Sequence, residues 1–141
     1  MPKRVKESAP IEASAIQWAV SFVDRFEDPT EKFATLHEME KQPNGVMTFP
    51  WYEYSPVVGE FIKGLYDRKL ILEFDWGKWK RGEQLFANPG LIDHATDTDC
   101  LKLITMCDRQ NRTYEGFLAK AFENGVITAC LKRLRDLYPS R

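Results

Sequence analysis

The sequence predicts a mainly α fold: a compact single-domain helical bundle of about six or seven short helices, with at most a minor strand pair. Three observations carry that prediction. Apolar residues recur every three or four positions in successive stretches, and proline, glycine or asparagine punctuates them. No set of segments alternates apolar and polar residues as a half-buried sheet would. Finally, 141 residues at 43% apolar and 13% aromatic suffice to close one core without disulfide or metal staples.

The elements follow in order. Residues 1–9 are polar and are expected to form a flexible tail, leaving 10–141 as a single helical domain. Ile11, Ala15, Trp18, Phe22 and Phe26 lie on one helical stripe that Asp28-Pro29 ends. Thr30 is placed to cap a second helix carrying Phe33, Leu36 and Met39, and KQPNG at 41–45 breaks the chain. The stretch VMTFPWYEY at 46–54 is aromatic and irregular, and Pro50 argues against a central strand.

Ser55-Pro56 pairs a cap residue with proline at the first helical position, ahead of an apolar face of Val58, Phe61, Ile62, Leu65 and Tyr66. Leu70-Ile71-Leu72 reads as an extended link or a minor strand. A helix from about Trp76 to Phe86 ends before NPG at 88–90. Thr96 and Asp99 resemble a capping box, with Cys100, Leu103, Ile104 and Cys107 following at helical spacing. Thr113 is placed to cap a helix of Phe117, Leu118, Ala121 and Phe122, and Gly125 falls where a left-handed C-cap belongs. The last helix carries Ile127, Leu131, Leu134, Leu137 and Tyr138, with Lys132, Arg133 and Arg135 on its polar side.

Composition narrows the function classes. Twenty basic residues against twenty-one acidic ones give a net charge of −1, which weighs against a dedicated nucleic-acid binder. The three cysteines form no C-x-x-C pair and no even framework, so a reducing cytoplasm fits better than a secreted context. No apolar segment follows the basic N-terminus, and no run approaches the roughly 20 residues that span a bilayer. A cytoplasmic protein with no membrane association is expected.

The densest aromatic and basic stretch is FDWGKWKRG at 74–82. With Asp75 as N-cap, Phe74 and Trp79 occupy the two positions of a hydrophobic staple, so those three residues have a structural explanation. Trp76, Lys78, Lys80 and Arg81 remain. A base stacked on an aromatic ring gains roughly 1–3 kcal/mol, with cations attracting phosphates. The competing reading packs Trp76 into the core and leaves three solvated cations.

Catalytic and metal-binding patterns fare poorly. HEME at 37–40 lacks the second histidine of H-E-x-x-H. Asp93, His94, Asp97 and Asp99 lack the glycine and closing glutamate of a calcium loop, and read as a loop leading into a helix cap. Cys100 and Cys107 share an apolar helix face, where inert packed cysteines sit. No metal and no cofactor are expected, and the balance leans away from an enzyme.

DRQNRTYEG at 108–116 is the most suggestive polar stretch. Arg109 and Arg112 beside a helix start, with Glu115 in its first turn, would suit an anion or phosphate. The alternative is a surface Arg112–Glu115 pair worth a few tenths of a kcal/mol. Trp51, Tyr52 and Tyr54 are further candidates for a pocket or partner surface, against the commoner role of aromatics near a loop in plugging a small helical core.

Taken together, FDW at 74–76, LKLIT at 101–105, R-x-x-R-x-x-E-G-x-L at 109–118 and FENGVITACLKRL at 122–134 are similar to a bacterial family of small proteins catalogued only as a domain of unknown function. YEYS-x-x-V at 52–58 extends the likeness to roughly residues 50–137. Segments like these are also appended to macrodomain proteins that handle ADP-ribose. The resemblance therefore implies an accessory role near NAD or ADP-ribose chemistry. Where the family pattern carries histidine, this chain has Cys107 and Phe117, so a histidine-dependent activity is not expected of it.

The leading expectation is a non-catalytic accessory or protein-partner-binding protein of a bacterium or mobile element. The alternative is a nucleotide or ADP-ribose module using Arg109 and Arg112 for phosphates and Trp76 or Tyr52 for stacking. A weaker alternative is single-stranded nucleic-acid binding through Lys78, Lys80, Arg81 and the basic last helix.

Overall fold

Helix α7 (Val126–Leu137) is the axis of the molecule, because its apolar face is in demand from every side. Ile127, Cys130, Leu131 and Leu134 are fully buried. Around it pack α1 (Ala13–Val20), α2 (Val23–Glu27), α5 (Asp97–Gln110), α6 (Phe117–Glu123) and a 3₁₀ turn at Pro89–His94. Helix α3 (Pro56–Asp67) and α4 (Lys80–Ala87) complete the seven α-helices among the described residues, with a second 3₁₀ turn at Trp76–Lys78. The computed structural model describes residues 11–47 and 49–139. The segment 1–9, expected to be a tail, lies outside the described residues.

The mainly α fold is as the sequence predicts, and four local expectations are corrected. The first run of apolar residues is two helices, broken where the Ser21 hydroxyl donates to the Trp18 carbonyl. The expected second helix at Phe33, Leu36 and Met39 is instead strand β1 (Ala34–His37), paired antiparallel with β2 (Trp51–Tyr54) in the register Ala34 to Tyr54 and His37 to Trp51. Thr30 caps no helix; its N–H and hydroxyl both donate to Asp28 Oδ1 in a tight turn. The spacing of three in Phe33-Leu36-Met39 mimics a helix, but only Phe33 reaches the core. Its ring packs on Phe26 and Phe122 at 5.8 and 5.2 Å, and strand pairing satisfies the backbone beyond it.

The third correction is at Trp76, where the expected long helix is a 3₁₀ turn followed by α4, so Asp75 makes no side-chain cap. The Phe74–Trp79 contact does form, edge to face at 5.5 Å. Fourth, α6 begins at Phe117 rather than at Thr113. Ser55-Pro56 does open α3, with Pro56 at the first position, and Thr96 Oγ1 accepts the Asp99 N–H to cap α5. Gly125 is left-handed at φ +81°, ending α6 and starting α7 in one residue.

Trp18 of α1 joins a cluster of phenylalanines that locks α1, α2, α3 and α6 together. Phe26 meets Phe61 at 5.0 Å and Phe122 at 5.1 Å, both edge to face, and such pairs add about 0.5–1.5 kcal/mol beyond burial. Among the described residues, no helix is long and apolar enough to cross a membrane.

Candidate functional site

The link between α3 and α4 would be free to drift were it not tied to α5. Thr105 is fully buried on α5; its hydroxyl donates to the Leu101 carbonyl at 2.8 Å and accepts the Leu72 N–H at 3.0 Å. A buried hydroxyl satisfied on both sides fixes the link's height on the helix. Phe74 then stacks edge-on against Trp79, and the Lys102 ammonium lies 5.2 Å from the Phe74 ring.

This arrangement brings Trp76 opposite Arg109 and Arg112. The three residues line one cleft of about 360 Å³ together with Leu72, Glu73, Phe74 and Thr113. Arg109 sits in the last turn of α5 and lies 5.6 Å from the Tyr66 ring, while the Tyr66 hydroxyl donates to Asp108. Burial, and then that bond to Asp108, raise the Tyr66 phenol above its ordinary value. Among the described residues neither arginine is paired with a carboxylate. Glu73 in the same cleft opposes their charge.

No helix N-terminus assists these arginines. The N–H groups of Gly116 and Leu118 at the start of α6 both donate to Asn111 Oδ1 at 3.1 Å. The Tyr54 hydroxyl donates to the same oxygen at 3.1 Å. Asn111 is thus one acceptor for three donors, joining the end of α5, the start of α6 and the hairpin. Glu115 does not pair with Arg112; its Oε1 accepts the Tyr52 N–H at 3.0 Å. Gly116 allows this docking: it is left-handed at φ +92°, and a Cβ there would lie 2.4 Å from the Tyr52 ring.

The six ligand or partner candidates therefore split. Trp76, Arg109 and Arg112 share the cleft. Tyr52 and Glu115 line a shallow depression of about 580 Å³ with Tyr114, Gly116 and Lys120. Trp76, Gln110 and Phe117 border a smaller cavity of about 240 Å³ between the two. Tyr54 is half-buried and serves Asn111, and burial raises its phenol above the ordinary value. Among the weak nucleic-acid candidates, Lys78 lies 3.9 Å from Asp75 and Arg81 Nε donates to Asp99 at 3.1 Å, leaving Lys80 exposed. On the last helix, Lys132 pairs with Glu27 at 2.7 Å and Arg133 donates to the Ala95 carbonyl.

The cysteines, Asp97 and Asp99 are occupied in other ways. Cys100, Cys107 and Cys130 are buried. Burial pushes the Cys107 thiol well up, and the hydrogen bond with Cys100 does the same for Cys130, so both stay protonated. Asp97 accepts the Tyr138 hydroxyl, and Asp99 takes Arg81.

Two features escape a sequence reading. Asn111 carries a signal only in hindsight, as an asparagine between two helices. The other is the hairpin tip beyond β1 and β2, closed by a Lys41–Met47 bridge and a left-handed Gly45. There Met39, Val46, Met47 and Trp51 are about half exposed and Phe49 is 86% exposed. PNG at 43–45 between apolar runs is the turn signal that points to it.

No curated protein and no solved structure matches this chain. A family model described as Family of unknown function (DUF6508) matches residues 11–140. The match takes in the core, the Trp76–Arg109–Arg112 cleft and the hairpin alike, and this chain belongs to that family.

Proposed function

We propose that this protein is a non-catalytic accessory module that binds a protein partner through the tip of its β-hairpin. The exposed side chains of Met39, Val46, Met47, Phe49 and Trp51 carry the reading. Monomers rarely leave so many apolar side chains together in water unless another surface covers them. Glu38, Glu40 and Glu53 outnumber Lys41 around them, so the fitting partner offers an apolar slot with a basic rim. The burial of all three thiols supports a non-catalytic role, since none is exposed as a nucleophile.

The test compares capture from host lysate by the wild type and by Phe49→Asp, which touches only an exposed position and leaves the melting temperature unchanged. A partner retained by the wild type and reduced at least about tenfold with the variant supports the reading. Equal capture by both, or turnover of a substrate with saturation kinetics, overturns it.

The convergence of Trp76, Arg109 and Arg112 on one cleft favours a second reading, a nucleotide or ADP-ribose site. The indole supplies a stacking face and the guanidiniums suit phosphates. Titration calorimetry with ADP-ribose and ATP tests it: Arg112→Glu abolishes binding without altering the fold. An unchanged affinity in that variant rejects the site.

A further inference from the structure

We infer that two copies of this chain associate through the outer edge of β1, forming one antiparallel four-stranded sheet. The inference starts from the hydrogen-bond parity of the hairpin. The Ser55 N–H donates to the Phe33 carbonyl at 2.8 Å, and the register places these residues opposite one another. Pairs in an antiparallel ladder alternate, so Thr35–Glu53 and His37–Trp51 bond across the hairpin while Ala34–Tyr54 and Leu36–Tyr52 do not. The N–H and C=O groups of Ala34 and Leu36 therefore point away from β2.

The two outer edges are treated differently. On β2 the outward N–H of Tyr52 is taken by Glu115. On β1 the outward groups of Ala34 and Leu36 have no partner among the described residues. An unpaired edge of this kind is a template for another strand. Leu36 beside it is 44% exposed.

The segment is complementary to itself. Around a two-fold axis at Thr35, Ala34 of one copy faces Leu36 of the other, and the exchange makes four N–H···O bonds in two bonded pairs. Thr35 then meets its own copy as the central non-bonded pair. The same register sets Lys32 of each copy opposite Glu38 of the other, twice. Both side chains are exposed, and neither has a partner among the described residues. A register centred on Ala34 also pairs the outward groups, but it sets Lys32 opposite Leu36 and loses this charge match. The edge meets the apolar tip at Glu38, but its backbone pairing uses none of the tip's apolar side chains, so the inference does not require the partner-binding reading.

The experiment uses the purified chain alone, so its outcome stands whatever the tip binds. Light scattering after size exclusion at about 200 µM is expected to give twice the 16.4 kDa of one chain. Lys32→Glu or Glu38→Lys alone should raise the dissociation constant about tenfold, and the two together should restore it. Thr35→Cys should form an intermolecular disulfide under mild oxidation, because the central non-bonded pair brings its Cβ atoms close, whereas Leu36→Cys should not. The native cysteines are buried and do not compete. A monomer at that concentration overturns the inference. So does a dimer in which Thr35→Cys fails to cross-link or the charge swap fails to rescue, since another surface then holds it.

Discussion

Replacing Asn111 by alanine removes one side-chain oxygen and, with it, three hydrogen bonds. Its Oδ1 accepts the N–H groups of Gly116 and Leu118 and the hydroxyl of Tyr54, each at 3.1 Å and each partly buried. A hydrogen bond of this kind contributes about 1 kcal/mol net, and a donor left in a partly dry site costs at least as much. The sum is about 3 kcal/mol, or roughly 10 °C in melting temperature for a domain of this size. Asn124 supplies an internal reference, because its Oδ1 accepts only the Val126 N–H at the start of α7. Asn124→Ala should therefore cost about 1 kcal/mol. The assay is urea unfolding followed by circular dichroism and tryptophan fluorescence, with an unchanged m-value confirming that the native state alone is altered. Asn111→Asp keeps the acceptor, gains at the N-terminus of α6 and loses at the C-terminus of α5, so it should stay within about 1 kcal/mol of the wild type. Equal losses for the two alanine variants would refute the three-donor argument.

Three further predictions test other joints of the structure. Gly116→Ala forces a side chain onto a left-handed backbone and against the Tyr52 ring; it should cost about 2–3 kcal/mol, and a stability equal to wild type would show that the hairpin does not dock there. The hydrogen bond to Asp97, and burial behind it, push the Tyr138 phenol up to about 12 from 10.0. A raised folded value means a contribution fully present below pH 10 and lost as pH rises towards 12. Tyr138→Phe should thus lose about 1 kcal/mol at neutral pH and flatten part of the alkaline slope in a pH series of unfolding curves, an effect kept small by partial exposure. Finally, all three thiols are at most 1% exposed; an aromatic disulfide reagent should label them only through opening of the fold, about a thousandfold slower than free cysteine. Rapid reaction of one thiol per chain would contradict the packing of α5 on α7.

The helices were legible because their signals are local. Ser55-Pro56, Thr96 with its acceptor role, Gly125 and the three- and four-residue spacing along 97–110 and 126–137 each act within a turn or two of chain. So was the content of the cleft, in part: Trp76, Arg109 and Arg112 stand out by residue type. Their proximity was not legible. It depends on Thr105 holding Leu72 across 33 positions of sequence, and a single buried hydroxyl leaves no periodic trace.

The sequence by itself determined a mainly α domain, its family, and which side chains are chemically notable. Tertiary structure decided that residues 34–37 pair with 51–54 rather than coil, because Phe33 finds Phe26 and Phe122 and the backbone beyond it finds a strand. It also decided that Glu115 serves Tyr52 and not Arg112, and that the N–H groups starting α6 serve Asn111 and not a ligand. The reason is physical. Helix propensity and capping are settled over a few residues. Strand pairing and the satisfaction of buried donors are settled between segments that meet only when the core closes.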